Sequence, residues 1–241
     1  MLRFIAAVAL AVLAVSAAPG PTLAQSDPSP AAPFDAGSQL RTELRAELAR
    51  RGDMGETVLL MREFNPEAYK RFEDEMIRLI VIEDHAGARR LGGRLYDLTA
   101  AQASWAPDEA VREFQSASRG ALELISRRKP SACSIFAISF GLSAGDDALP
   151  DDPAITRFRA ARRALFMGGR DRPVERVYDP AVTRRLDAVL RERGTDFGTI
   201  IDQLRRDSTL PQAEQCRVAA QLLEAVEALG PETAGLWAAR K

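Results

Sequence analysis

Beyond residue 37, apolar positions recur every three or four residues along most of the chain, the period of helices with one buried face. Leu40, Leu44 and Leu48 stack at four-residue spacing in a segment that Ser38 can cap and Gly52 can end, which predicts a helix over 38–51. A short helix is expected near 56–63. Asn65 followed by Pro66 is a helix start, and Phe72, Met76, Leu79, Ile80 and Ile82 give the next helix a wide apolar stripe. That helix is expected to run past His85 to about Leu98, although Gly87, Gly92 and Gly93 weaken the stretch. Pro107 and Asp108 open another, with Val111, Phe114, Ala121, Leu122 and Ile125 inward, and Pro130 closes it. A basic helix follows Pro153, then a loop over 168–178. Asp179 and Pro180 start a helix that Gly194 stops, and further helices are expected over 197–206, 211–229 and 232–240.

Residues 135–142 break this pattern. The run is apolar with no solvent face in either period, so it reads as a buried helix or a buried strand. The fold class expected is therefore all-α, a compact multi-helix domain over 38–241. One internal similarity stands out: Leu44, Ala46, Leu48, Arg51 and Gly52 recur in register as Leu186, Ala188, Leu190, Arg193 and Gly194. Duplicated helical units near 38–100 and 180–241 would explain it. Ordinary helix endings explain it as well, since late arginines and terminal glycines are common there.

The N-terminus carries a different signal. Met1, Leu2 and Arg3 precede an apolar stretch over 4–18, Pro19, Gly20 and Pro21 end it, and Thr22, Leu23 and Ala24 offer a cleavage site before Gln25. This is the pattern of a secretory signal peptide over 1–24, and the run is shorter than the roughly 20 residues a membrane span needs. Pro28, Pro30 and Pro33 mark residues 25–37 as an extended leader. Cleavage leaves 217 residues with a net charge of −2, against −1 for the whole chain. Neither value favours nucleic acid or a membrane surface as partner. The expected location is the periplasm or the exterior, and the processed chain is expected not to be transmembrane.

Export gives the cysteines a meaning. Cys133 and Cys216 are the only two, and in an oxidising compartment an even pair without C-x-x-C spacing is expected to form a disulfide.

Candidate chemistry is sparse. Gly141, Leu142, Ser143, Ala144 and Gly145 spell G-x-S-x-G, which in serine hydrolases places the nucleophile on a strained turn between strand and helix. Ser143 is thus the one candidate nucleophile. However, Asp146, Asp147, Pro150, Asp151 and Pro153 follow where that helix would begin, and the single histidine, His85, precedes the serine. Ser126 and Lys129 have the S-x-x-K spacing without its companion motifs. His85 beside Glu83 and Asp84 lacks the partners of a zinc set, and the acidic loop over 146–152 lacks the register and closing glutamate of a calcium loop. No cofactor or metal is expected, and Trp105 and Trp237 are too few for a base-stacking surface.

Charge arrangement says more than the totals. Arg157, Arg159, Arg162, Arg163, Arg170, Arg172 and Arg176 lie in twenty residues that also hold Asp171 and Glu175, directly after the acidic loop. Arginine forms two-pronged pairs with phosphate and carboxylate, so this run is either an anion-binding or lipid-headgroup surface or a self-neutralised face. The function expected is a non-catalytic binding or interaction module of a bacterial envelope, its partner another envelope protein or an anionic ligand. The alternatives are a serine hydrolase using Ser143 and anion binding through the arginine run.

Overall fold

A computed structural model describes residues 36–145, 149–205 and 209–238. The expected signal peptide, most of the leader, and Asp146 and Asp147 of the acidic loop lie outside the described residues. Among those described, all regular structure is helical and the fold is all-α.

Three helices come first: α1 (Ala36–Arg50), α2 (Gly52–Phe64) and α3 (Pro66–Val81). Leu44 and Leu48 are buried as their spacing predicts. The second helix starts earlier than the pattern suggested, because Gly52 at φ +55° turns the chain and a new helix begins there at once. Asn65 caps α3 by accepting from the Ala68 amide at 3.2 Å, and Tyr69, Phe72, Met76 and Leu79 form its buried stripe.

The helix expected to continue to Leu98 is in fact two. Glu83 takes a left-handed φ of +56°, and Asp84 then accepts from the Gly87 amide at 2.7 Å to start α4 (His85–Ser104). Gly87 is required for that cap, since a Cβ there would lie 2.4 Å from Asp84 Oδ2 and 2.8 Å from Leu79 Cδ2.

The centre is α5 (Asp108–Arg128), with Val111, Phe114, Ala121, Leu122 and Ile125 inward. After a 3-10 turn (Pro130–Ala132) comes α6 (Cys133–Ile138), so the ambiguous apolar run is a short helix followed by a tight turn. Phe140 and Gly141 both have positive φ in that turn. α7 (Pro153–Asp171) runs through two glycines that the sequence pattern assigned to a loop. They mark a close crossing: a Cβ on Gly169 would lie 2.2 Å from the Gln102 carbonyl oxygen, and one on Gly168 would lie 2.8 Å from Pro107 Cδ. Packing against α4 and α5 thus holds helical a segment that propensity alone would end.

The remainder is α8 (Pro180–Glu192), α9 (Phe197–Leu204), α10 (Gln212–Leu229), a 3-10 turn (Gly230–Ala234) and α11 (Gly235–Ala238). Asp179 and Asp196 cap α8 and α9, accepting from Ala181 and Thr199 amides. The order helix, shorter helix, proline-led helix is common to α1–α3 and α8–α10.

α7 and α10 pack on α5, and α10 also covers α6. One continuous core results, with Phe158 within 6 Å of Phe114 and Phe136, ring centroid to ring centroid, and Trp237 edge-on to Phe114 at 5.8 Å. Cys133, the first residue of α6, is disulfide-linked to Cys216 in α10, across 83 positions of sequence. Among the described residues no helix is long and apolar enough to cross a membrane.

Candidate functional site

The seven arginines of the basic run all find carboxylates. Arg157 donates to both oxygens of Glu113 at 2.9 and 3.2 Å, Arg172 pairs with Glu109 at 3.0 Å, and Arg176 pairs with Asp108, so three arginines tie α7 and the segment after it to α5. Arg159 grips Glu56 two-pronged at 2.9 and 2.7 Å, Arg163 meets Glu63 at 2.5 Å, and Arg170 donates to Asp171 and to the Glu63 carbonyl. These bind α7 to α2. Among the described residues the partners come mostly from other helices; of the neighbouring aspartates described there, Asp151 makes a loose contact with Arg159 at 3.7 Å and Asp171 pairs with Arg170. The run is largely a set of helix-to-helix ties, and most of them are exposed pairs that water and salt weaken.

Arg162 is different. It is 0% exposed, on the buried stripe of α7 with Phe158 and Phe166, although its sequence neighbours suggested a charged face. Its Nη1 donates to Asp53 Oδ1 at 2.7 Å and reaches the Leu142 carbonyl at 3.4 Å, while Nη2 reaches Glu56 at 3.3 Å. The guanidinium lies over the Phe158 ring, 4.9 Å from its centroid. Asp53, in the first turn of α2 and also 0% exposed, uses its second oxygen to accept from the Ala144 amide at 2.6 Å.

These contacts account for the G-x-S-x-G turn. The Met54 amide donates to the Gly145 carbonyl at 2.8 Å, the Gly145 amide donates to Ser143 Oγ at 3.0 Å, and Ser139 Oγ donates to the Ser143 carbonyl while accepting from its amide. Gly141 has φ +83°, and a Cβ there would lie 2.6 Å from Ser118 Oγ. Ser143 is therefore a buried turn serine holding its own loop, whereas a nucleophile elbow presents its hydroxyl at an open surface. His85 is exposed at the start of α4, a different element. We expect a serine-reactive fluorophosphonate to leave Ser143 unlabelled. Intact mass of wild type and Ser143→Ala after treatment checks this, and an adduct lost only in the variant would reinstate the hydrolase reading.

The other sequence candidates take ordinary roles. Ser126 Oγ donates to the Glu123 carbonyl within its helix. Asp152 caps α7 by accepting from the Ala154 amide at 2.9 Å. Among the described residues no group of three or more histidine, cysteine, aspartate or glutamate side chains is placed to hold a metal ion.

Two surfaces escaped the sequence patterns. One is apolar. Leu98 and Trp105, seven residues apart on one face of α4 and its exit, are both exposed. The segment 172–179 meets the α4 exit, where Val174 donates its amide to the Trp105 carbonyl at 2.7 Å, and it exposes Val177, at 76%, and Tyr178. Arg176 pins this strap by donating to the Ser104 and Ala106 carbonyls as well as to Asp108. The other is a basic cavity between α1, α2 and α3, lined by Arg41, Arg45, Arg62 and Lys70. Nothing in composition or spacing distinguishes those residues from the arginines scattered elsewhere.

The fold and these sites define a disulfide-linked all-α protein with an internal arginine–carboxylate clamp. No family model, curated protein or solved structure matches the chain.

Proposed function

We propose that the chain is an exported, non-catalytic interaction module of a bacterial envelope that engages a partner protein through the strip formed by Leu98, Trp105, Val174, Val177 and Tyr178. The observation that carries this reading is the exposure of those large side chains on α4, its exit and the segment pinned to that exit by Val174 and Arg176. Scattered exposed apolar residues are ordinary, whereas a set on two segments joined at Trp105 and containing tryptophan and tyrosine has the composition of interface anchors. Arg176 supports the reading because a strap held to the Ser104 and Ala106 carbonyls loses little conformational freedom on binding. Export rests on the signal pattern over 1–24 and fits a chain whose two cysteines are joined.

The test is co-purification of the chain from its native envelope fraction. Trp105→Glu together with Val177→Glu should reduce recovery of its partner at least tenfold, while circular dichroism and melting temperature stay at wild-type values. Undiminished recovery by this variant would rule the strip out. The same preparation reads export, since the intact mass should correspond to a chain beginning at Gln25.

A further inference from the structure

A cavity of about 360 Å³ opens where α1, α2 and α3 meet, a size suited to a small ligand. Four cations line it, Arg41, Arg45, Arg62 and Lys70, against one carboxylate, Glu73. Glu73 is taken up by Arg45, whose Nε and Nη2 donate to its two oxygens at 2.5 and 2.8 Å. Arg41 donates to Asp74 at 2.6 Å. That leaves Arg62 and Lys70, neither of which has an ion-pair partner among the described residues. Arg62 rests over the Tyr69 ring, 5.7 Å from its centroid. Tyr69 lines the cavity but is only 4% exposed, its hydroxyl buried beside the Arg45–Glu73 pair. Burial first, and the nearby Glu73 carboxylate second, push the Tyr69 pKa up to about 12, so the phenol keeps its proton at neutral pH.

We propose that this cavity binds a phosphate-bearing ligand, with the phosphoryl group held between Arg62 and Lys70. The charge balance selects the class. After the two internal pairs are discounted, the cavity presents a charge of +2, and a phosphate monoester carries about −1.5 to −2 near neutral pH. A carboxylate would leave one cation uncompensated. The arginine fork and the lysine point charge are the usual donors to phosphate oxygens. Anion recognition thus falls to α1–α3 rather than to the basic run on α7, whose arginines all have internal carboxylates. This site is independent of the apolar strip.

Calorimetric titration of the full processed chain with inorganic phosphate and phenyl phosphate, beside flotation with phosphatidic acid vesicles, tests it. Saturable binding of at least one probe is expected, falling as salt rises. Arg62→Gln and Lys70→Gln, both on exposed side chains, should each weaken it at least fivefold. Glu73→Gln should tighten it severalfold by releasing Arg45, a direction that damage to the fold does not produce. Variant-sensitive binding of the soluble phosphates alone assigns a free phosphate ester, and variant-sensitive flotation assigns a lipid headgroup. The proposal is overturned if no probe binds, or if binding is indifferent to Arg62→Gln and Lys70→Gln.

Discussion

Replacing Asp53 by alanine is expected to destabilise the fold by about 3–5 kcal/mol, the cost of stranding one member of a buried ion pair. Arg162 would keep its charge at a position with no exposure, its Nε already lacks a hydrogen-bond partner, and Glu56 approaches only at 3.3 Å. The Ala144 amide would lose its acceptor as well. For a domain of about 200 residues this corresponds to a fall in melting temperature of roughly 6–20 °C. Arg162→Met should be similarly costly, because Asp53 would then be the uncompensated charge.

The double variant Asp53→Leu/Arg162→Met separates this explanation from simple loss of packing. A buried pair replaced by apolar residues of similar volume is often close to neutral, so the double variant should be more stable than either Asp53→Leu or Arg162→Met alone. The coupling from a double-mutant cycle read by thermal unfolding should then exceed about 1 kcal/mol. Additive losses would show that Asp53 and Arg162 act separately. By contrast, Arg157→Gln and Arg172→Gln should each leave the melting temperature close to the wild-type value, since both pairs face solvent.

The helical fold was legible because the apolar stripes are regular. The inward faces of α3 and α5 largely follow the three- and four-residue spacing, but Tyr69 and Glu73 join the α3 face unannounced, and Ile82, expected on that stripe, lies past the helix end and is 56% exposed. The failures have specific causes. Gly168 and Gly169 looked like a helix end, since glycine lowers helix propensity, but a crossing helix needs the missing Cβ atoms. The break at residues 82–84 depends on a glutamate in left-handed conformation, which the sequence does not favour. Arg162 did carry a signal: it lies four residues from both Phe158 and Phe166, on the apolar stripe, and an arginine there needs a buried partner. Which carboxylate supplies it was hidden, because Asp53 lies 109 positions away and reads as an ordinary first-turn acid. The G-x-S-x-G letters were visible, but their use as a hydrogen-bonded turn under α2 depends on that same long-range contact. The basic cavity was invisible for a related reason: its four cations belong to three helices and show no sequence clustering.

Removing the disulfide by Cys133→Ser/Cys216→Ser should cost about 2–5 kcal/mol, with chain-entropy reasoning for a closure of this length giving about 4.5 kcal/mol as the upper figure. The position of the bond argues for the upper half. α6 has six residues, too few to persist by its own hydrogen bonds, and it is held from two sides. At its first residue the disulfide fixes it to α10, and beyond its last residue the 139–145 turn is fixed to α2 by Asp53 and Met54. With the disulfide gone, the clamp alone must position α6, so the loss caused by Asp53→Ala in that background should differ from its loss in the wild type by more than about 0.5 kcal/mol, the usual limit of additivity for independent sites. Cys133 is fully buried and Cys216 nearly so, and the native chain should therefore resist reductant until denaturant opens it. Thiol alkylation followed by intact mass, at rising urea with and without reductant, reads this directly. Modification of both cysteines in native buffer without reductant would show that the bond does not form, and equal losses from Asp53→Ala in both backgrounds would show that the two restraints on α6 act independently.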